Sequence, residues 1–196
     1  MNVGSSGHSK TLKKVFEQLH LKIAKVDGQW TCAEVYTTEK LVFGRYQWQV
    51  TGALDKLDPN VVLGLFHYAG PDGQNALDIE VGQWGNARAK RGHFSVYPGQ
   101  PKLRYATYEF PFALTAPETT QRYDWQSQAV RFQLLQGHRN DDGGELAQWR
   151  FAPERWADLI PQQPLPLHLN LWLARGKPPL DGQPVEVVIK SFEYKP

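Results

Sequence analysis

The sequence predicts an all-β sandwich, and three observations support this expectation. Strand-like segments such as Phe43–Val50 alternate aromatic or apolar side chains with polar ones. Turn-forming residues, for example the run Gly70–Gly73, separate these segments. The chain has 196 residues, of which 41% are hydrophobic, and it carries 7 Trp, 8 Tyr and 9 Phe. That apolar content is enough for one buried core and too high for a disordered chain.

The alternation predicts six strands with clear boundaries. These strands are Phe43–Val50, Val61–Tyr68, Ala76–Val81, Val130–Leu134, Leu165–Leu173 and Val185–Tyr194. A seventh segment, Gln18–Ala24, fits a strand or a helical stripe, and we favour a strand because its surroundings are β. We expect a short helix at Pro153–Ile160 and a loop at Pro161–Pro166. Residues 1–17 are expected to form a flexible N-terminal extension, and residues 18–196 a single domain.

Composition excludes several classes of protein. The net charge of +2 gives no electrostatic reason to expect nucleic acid or anionic lipid as a partner. The short basic runs Lys10–Lys14 and Arg88–Arg91 are expected to be solvated loops. Cys32 is the single cysteine, which excludes an internal disulfide and a cysteine-based metal site. No apolar run approaches the roughly 20 residues that a membrane span needs.

The segment Ala76–Val81 carries the most informative pattern. On a strand, Ala76, Asp78 and Glu80 share one face, and the alternating apolar residues share the other. The two carboxyls then start roughly 6.5 Å apart at the backbone. Carboxyls this close repel, so one of them should hold its proton more tightly, as a general acid requires. Asp-x-Glu alone is a weak signal, and a solvent-facing polar row is the commoner explanation.

Five blocks in order resemble glycoside hydrolase family 16, and most of all the bacterial β-glucanases, or lichenases, within it. The first block pairs Ala33–Thr37 with Phe43–Tyr46; the others are Val61–Pro71, Ala76–Glu80, Tyr123–Gln126 and Leu169–Trp172. The central block falls on the family's catalytic signature Glu-x-Asp-x-Glu. Each block is weak alone, but five in register are specific for the fold, and the resemblance covers roughly residues 17–194.

The resemblance implies a concanavalin A-like β-sandwich, or jelly roll, with a sugar cleft on its concave sheet. It also implies a retaining mechanism with two carboxyls roughly 5 Å apart. Glu80 matches the acid/base and Asp78 matches the carboxyl that tunes the pair. Ala76 stands where the family has its nucleophilic Glu.

A methyl group cannot attack carbon, so the resemblance leaves the activity of this chain open. Asp78 could act as the nucleophile, although it is shorter and two residues away. Water could fill the volume beside Ala76 in an inverting reaction, with Glu80 as the acid and a base from elsewhere. A loop residue such as Asp72 could also fold into the gap.

The resemblance also assigns residues that contact substrate. They combine flat rings with groups that bond hydroxyls, and they are Glu34, Trp84, His93, Ser95, Tyr97, Asn170 and Trp172. Trp48 and Trp125 are predicted to be core residues, while Phe66 and Tyr68 fit either the core or the cleft.

No cofactor is expected. The six histidines lack zinc-ligand spacing. Lys190 lies near the position where relatives hold calcium through Asp, which disfavours a calcium site.

Three functions are therefore open. The first is recognition of a β-linked glycan, β-glucan above all, with weak or absent hydrolysis because of Ala76. The second is an active endo-β-glycanase that uses Glu80 with an unrecognised nucleophile or an inverting water. The third is a structural or protein-binding sandwich. Family habit suggests a secreted or periplasmic location, although residues 1–10 are polar and show no signal-peptide pattern.

Overall fold

Two antiparallel sheets form the protein in the computed structural model, which describes residues 12–14, 18–71, 73–100 and 102–196. We call the eight-stranded sheet the back sheet. Its strands are β1 (Leu12–Lys14), β2 (Leu19–Val26), β3 (Gln29–Thr31), β5 (Gly44–Thr51), β10 (Glu118–Trp125), β11 (Val130–Gln136), β12 (Glu145–Phe151) and β14 (Val185–Lys195). They are ordered β12-β11-β10-β5-β14-β2-β3, and β1 pairs with β14.

The six-stranded sheet bears the residues that the sequence singles out, and we call it the cleft sheet. Its strands are β4 (Ala33–Leu41), β6 (Val61–Tyr68), β7 (Ala76–Val81), β8 (Gly92–Tyr97), β9 (Ala106–Phe110) and β13 (Leu165–Leu173). They are ordered β4-β13-β6-β7-β8-β9, so β6 and β7 lie at the centre. A jelly-roll sandwich is therefore confirmed as the fold.

The core lies between the sheets and is rich in aromatic side chains. Trp48, Trp125 and Tyr123 are fully buried on the inner face of the back sheet, as predicted for the two tryptophans. The strand β13 alternates strictly between buried and partly exposed residues, with Leu167, Leu169 and Leu171 turned inward. This period of two leaves every second residue of β13 on the outer face of the cleft sheet.

The predicted elements have the predicted type of secondary structure, but several of them begin or end at other residues than predicted. The strand favoured at Gln18–Ala24 is present as β2, which runs from Leu19 to Val26 and pairs with β14. The helix predicted at Pro153–Ile160 is only one turn, α1 (Trp156–Leu159). The loop predicted at Pro161–Pro166 ends early, because β13 begins at Leu165 and accommodates Pro166 beside an irregular register.

Most of the N-terminal extension predicted for residues 1–17 lies outside the described residues, apart from the short strand β1. The loop residue Asp72 also lies outside them. None of the helices in the described part of the chain has the length and apolarity needed to cross a membrane.

Candidate functional site

The strand β7 presents its carboxyls as the sequence predicts. Leu77 and Ile79 are buried in the core, at 0% and 2% exposure. Ala76, Asp78 and Glu80 therefore point to the outer face of the cleft sheet, where the two carboxyl residues are partly exposed. Because β7 lies at the centre of the sheet, its neighbours on both sides can reach anything bound over these carboxyls.

Strand register places a row of polar residues through Glu80. Gly64 on β6 and His93 on β8 are its direct cross-strand partners. Beyond Gly64 the row continues to Asn170 on β13 and Glu34 on β4. A Glu, an Asn and a second Glu therefore lie on one line across the sheet, with a glycine between Glu80 and Asn170.

Gly64 is required by the side chain of Asn170. A Cβ atom at position 64 would lie 2.5 Å from Asn170 Oδ1, closer than carbon and oxygen can approach. The Asn170 oxygen is buried and accepts no hydrogen bond from the described residues. Asn170 is not among the residues that line the cleft, so its predicted contact with substrate stays a prediction.

A second row passes through Asp78 and is aromatic on one side. Phe66 on β6 is the cross-strand partner of Asp78, and His168 and Tyr36 follow on β13 and β4. The His168 ring stacks on Phe66 at 5.1 Å and on Tyr36 at 5.4 Å between ring centroids. His168 Nδ1 also lies 2.9 Å from Glu34 Oε1, which ties the aromatic row to the polar one.

A third row has Ala76 at its centre. Tyr68 on β6 and Tyr97 on β8 are its cross-strand partners. The Tyr97 ring stacks on the exposed ring of Tyr105 at 4.7 Å, and the Tyr68 hydroxyl donates to the Gly70 carbonyl. The floor at Ala76 is thus a methyl group between two phenol rings.

Burial controls the acidity of the carboxyl pair. It raises the pKa of Glu80 from an ordinary 4.5 to about 7. The pKa of Asp78 is raised well above its ordinary value, first by burial and then by the charge of Glu80. One oxygen of Asp78, Oδ1, is buried and has no hydrogen-bond partner among the described residues. A carboxyl that keeps its proton near neutral pH is suited to general acid catalysis, and Glu80 meets this condition.

Trp84 reaches the cleft from the loop after β7. Its backbone adopts a positive φ of 47°, an uncommon conformation for a bulky residue. The Gln83 side chain holds this loop by donating to the carbonyls of Ala87 and Ala89. The Trp84 ring packs edge-to-face on His93, with 4.3 Å between centroids. Strained backbone that its surroundings hold in place is typical of functional positions.

These side chains enclose an open cleft of about 510 Å³ over the centre of the cleft sheet. Its lining residues are Glu34, Phe66, Tyr68, Gly73, Ala76, Asp78, Glu80, Trp84, Tyr97 and His168. Three of the residues predicted to contact substrate, Glu34, Trp84 and Tyr97, are among them. His168 was not predicted, although it lies two positions before Asn170 on the same strand face.

The other predicted contact residues lie near the cleft without lining it. His93 is 9% exposed and hydrogen-bonds the Lys90 carbonyl through Nε2. Ser95 is buried and donates to Thr107. Trp172 lies one row beyond Asn170 on the cleft face of β13, partly exposed. Their roles in binding stay predictions.

The described residues contain no group of three or more His, Cys, Asp or Glu side chains that could hold a metal ion.

Comparison with solved structures finds β-glucanase folds. A β-glucanase of Bacillus licheniformis is 21% identical with a TM-score of 0.62, and the match covers 91% of this chain and 78% of that one. A β-1,3-1,4-glucanase, or lichenase, from a mouse hindgut metagenome is 22% identical with a TM-score of 0.64, covering 94% and 83%. A Mycobacterium tuberculosis protein described as an immunostimulatory antigen and pseudo β-1,3-glucanase is 16% identical with a TM-score of 0.67, covering 91% and 74%.

Comparison with protein-family models gave no match, and comparison with curated protein sequences gave none either. The structural matches nevertheless extend over nine-tenths of the chain. The chain therefore has the jelly-roll fold of the lichenase-like β-glucanases.

Proposed function

We propose that the chain recognises β-linked glycans, β-glucan above all, in the cleft over β7. Retaining hydrolysis of such glucans is weak or absent in this proposal, because Ala76 stands at the position of the nucleophile. The observation that carries the proposal is the pairing of aromatic and carboxyl rows on one open face of the sheet.

The composition of the cleft suits a neutral sugar chain. Sugar rings have apolar faces that pack on flat aromatic side chains, and Trp84, Phe66 and Tyr97 offer such surfaces. Sugar hydroxyls need acceptors, which Glu34 and Glu80 provide. Small-molecule sites usually have aromatic and apolar walls, with a small number of polar groups that point toward the ligand.

The same floor argues against ordinary retaining hydrolysis. Double displacement needs a carboxylate that bonds to the anomeric carbon and a second carboxyl that protonates the leaving oxygen. Glu80 fits the second role, since burial keeps its pKa near 7. The methyl group of Ala76 has no electron pair to supply the first role.

An active endo-β-glycanase is the second candidate, and the pKa of Glu80 favours it over a structural sandwich. Burial of a proton-holding carboxyl in a cleft costs stability, and proteins tolerate such groups mainly at functional sites. An inverting water would need a base across the cleft. Glu34 lies on the row of Glu80, two strands beyond Gly64, and it lines the cleft together with Asp78 and Glu80.

Calorimetric titration with β-1,3-, β-1,4- and mixed-linkage gluco-oligosaccharides tests the proposal. We expect Trp84→Ala to weaken binding about fivefold, or ~1 kcal/mol, because one aromatic face is lost. Trp172→Ala should weaken it severalfold, and Glu80→Gln should leave affinity almost unchanged. Trp30→Ala is the matched control, because Trp30 is a partly buried tryptophan of β3 that contacts Lys25 in the back sheet.

Equal affinities of wild type, Trp84→Ala and Trp172→Ala would place binding outside the cleft. Absence of binding to every glucan would favour the structural or protein-binding role instead.

A further inference from the structure

The floor around Ala76 has an unusual order of groups along β7. A methyl group comes first, a carboxyl with a buried unpartnered oxygen comes second at Asp78, and a proton-holding carboxyl comes third at Glu80. Tyr68 and Tyr97 flank the methyl group on the neighbouring strands. The cleft therefore has an apolar, ring-walled space next to the Asp78 carboxyl, which also lines the cleft.

An acetamido group has the complementary chemistry. Its methyl is apolar, its N–H is a donor, and its carbonyl oxygen is nucleophilic. A sugar that carries this group at C2 can place the methyl over Ala76 while its N–H donates to Asp78. Some glycosidases use such a neighbouring group in place of an enzyme nucleophile.

We propose that the cleft cleaves β-linked 2-acetamido sugars by substrate-assisted catalysis, with Asp78 and Glu80 as the catalytic residues. This inference rests on the proposed function, because it requires a β-linked glycan in the same cleft. It limits the substrates that are cleaved to N-acetylhexosamine polymers. Glucans, which have a hydroxyl at C2, are expected to bind without being cleaved.

In the first step the acetamido carbonyl oxygen forms a bond to C1 and the glycosidic bond from C1 to the leaving oxygen breaks. Glu80 gives its proton to the leaving oxygen, and a cyclic oxazolinium ion remains. Asp78 accepts a hydrogen bond from the ring N–H, and its carboxylate stabilises the positive charge. The acetamido oxygen that closes the five-membered ring is the nucleophile that Ala76 cannot provide.

In the second step a water molecule attacks C1, and the ring C1–O bond breaks to restore the acetamide. The Glu80 carboxylate takes a proton from this water, which returns the acid to its starting form. One water molecule is consumed for each bond cleaved, and the product retains the configuration at C1.

The electrostatics of the pair match this sequence of events. Glu80 must begin protonated and end protonated, which its pKa of about 7 permits in neutral solution. Burial and the Glu80 charge raise the pKa of Asp78, and a cation held against its buried oxygen would lower that pKa again. Asp78 must therefore release its proton to solvent before the first step, so that its carboxylate faces the oxazolinium ion when this ion forms.

Matched fluorogenic substrates test the proposal directly. The 4-methylumbelliferyl glycosides of N,N′-diacetylchitobiose and of cellobiose share their leaving group and linkage, and they differ at C2. We expect kcat/KM to be at least about 100-fold higher for the acetamido substrate, and Glu80→Gln and Asp78→Asn each to lower it about 100-fold. Equal rates on the two substrates, or full activity in Asp78→Asn, would overturn the proposal.

A thiazoline analogue of the oxazolinium ion gives a test that needs no turnover. Calorimetry should show that chitobiose thiazoline binds the wild type at least about tenfold more tightly than chitobiose does, as expected of an intermediate mimic. Ala76→Glu should lose this preference, because the longer side chain fills the acetamido space. Ala76→Ser should keep it, which controls for substitution at the position, and thermal melting checks that both variants fold.

Failure of this inference can be distinguished from failure of the proposed function. Glucan binding that Trp84→Ala weakens, together with no thiazoline preference and no cleavage of the chitobioside, would refute the acetamido mechanism alone. Absence of binding by glucans, chitobiose and thiazoline alike would refute both.

Discussion

Replacing Ala76 by Glu should create β-glucanase activity. The substitution returns a carboxylate to the face of β7 that already carries Asp78 and Glu80. Double displacement then has both its nucleophile and its acid. We expect hydrolysis of the preferred β-glucan to rise at least about 100-fold over the wild type, which corresponds to ~2.7 kcal/mol off the barrier.

The new carboxylate carries an electrostatic cost that can be estimated from the strand spacing. Residues 76 and 78 start about 6.5 Å apart on one strand face. At an effective dielectric of about 20, two charges at that distance repel by ~2.6 kcal/mol. The free energy of unfolding should therefore fall by about 2 kcal/mol at a pH where both carboxyls are ionised, and by less at pH 5, where protons neutralise them.

The assay is release of reducing ends from soluble β-glucan between pH 5 and 8. Ala76→Gln is the matched control, because it has nearly the same volume and no negative charge. Urea denaturation of both variants establishes that they fold. Equal activity of the Glu and Gln variants, both folded, would refute the assignment of position 76 to the nucleophile.

Three further predictions concern the same face of the sheet. Formate or azide should rescue cleavage of an activated β-glucoside by the wild type, because a small anion fits beside Ala76. The control is Ala76→Gln, which should show no rescue because its longer side chain fills that space. Glu80→Gln should raise the free energy of unfolding by about 2–3 kcal/mol above pH 7 and by little below pH 4.5. In the folded protein the Glu80 carboxyl has a pKa of about 7, raised from 4.5, so the wild type loses stability as the pH rises between these values. Equal stability of wild type and Glu80→Gln at pH 8 would contradict the burial argument. Gly64→Ala should cost about 1–3 kcal/mol, since its Cβ meets Asn170 Oδ1 at 2.5 Å, and Asn170→Ala in the same chain should recover most of the loss in urea denaturation.

The fold was predictable because its signals are local. Strict alternation in β13, and alternation from Leu77 onward in β7, follows from a sheet with one buried face, and both strands have the predicted limits. The sequence did not predict the strands β1, β3, β4, β8, β9, β10 and β12, and β8 and β12 illustrate the reason. Gly92 opens β8, and exposed polar residues alternate irregularly in β12, so neither segment shows a clear period of two.

The site was predictable only where its residues share a strand. Asp78 and Glu80 follow from the period of β7 alone. His168 joins the cleft through stacking on Tyr36 and Phe66, which come from two other strands, and nothing in one sequence gives that register. His93 shows the reverse case: its position matches a family contact residue, yet its ring packs on Trp84 and bonds a backbone carbonyl.

Reducing-end release from the β-1,3-, β-1,4- and mixed-linkage glucans that the protein binds tests the central claim most directly. The account predicts that wild type and Glu80→Gln bind these glucans with similar affinity and release few or no ends above a protein-free blank. Rapid release by the wild type that Glu80→Gln abolishes would show that a nucleophile or an inverting water replaces the missing carboxylate, and would contradict the account.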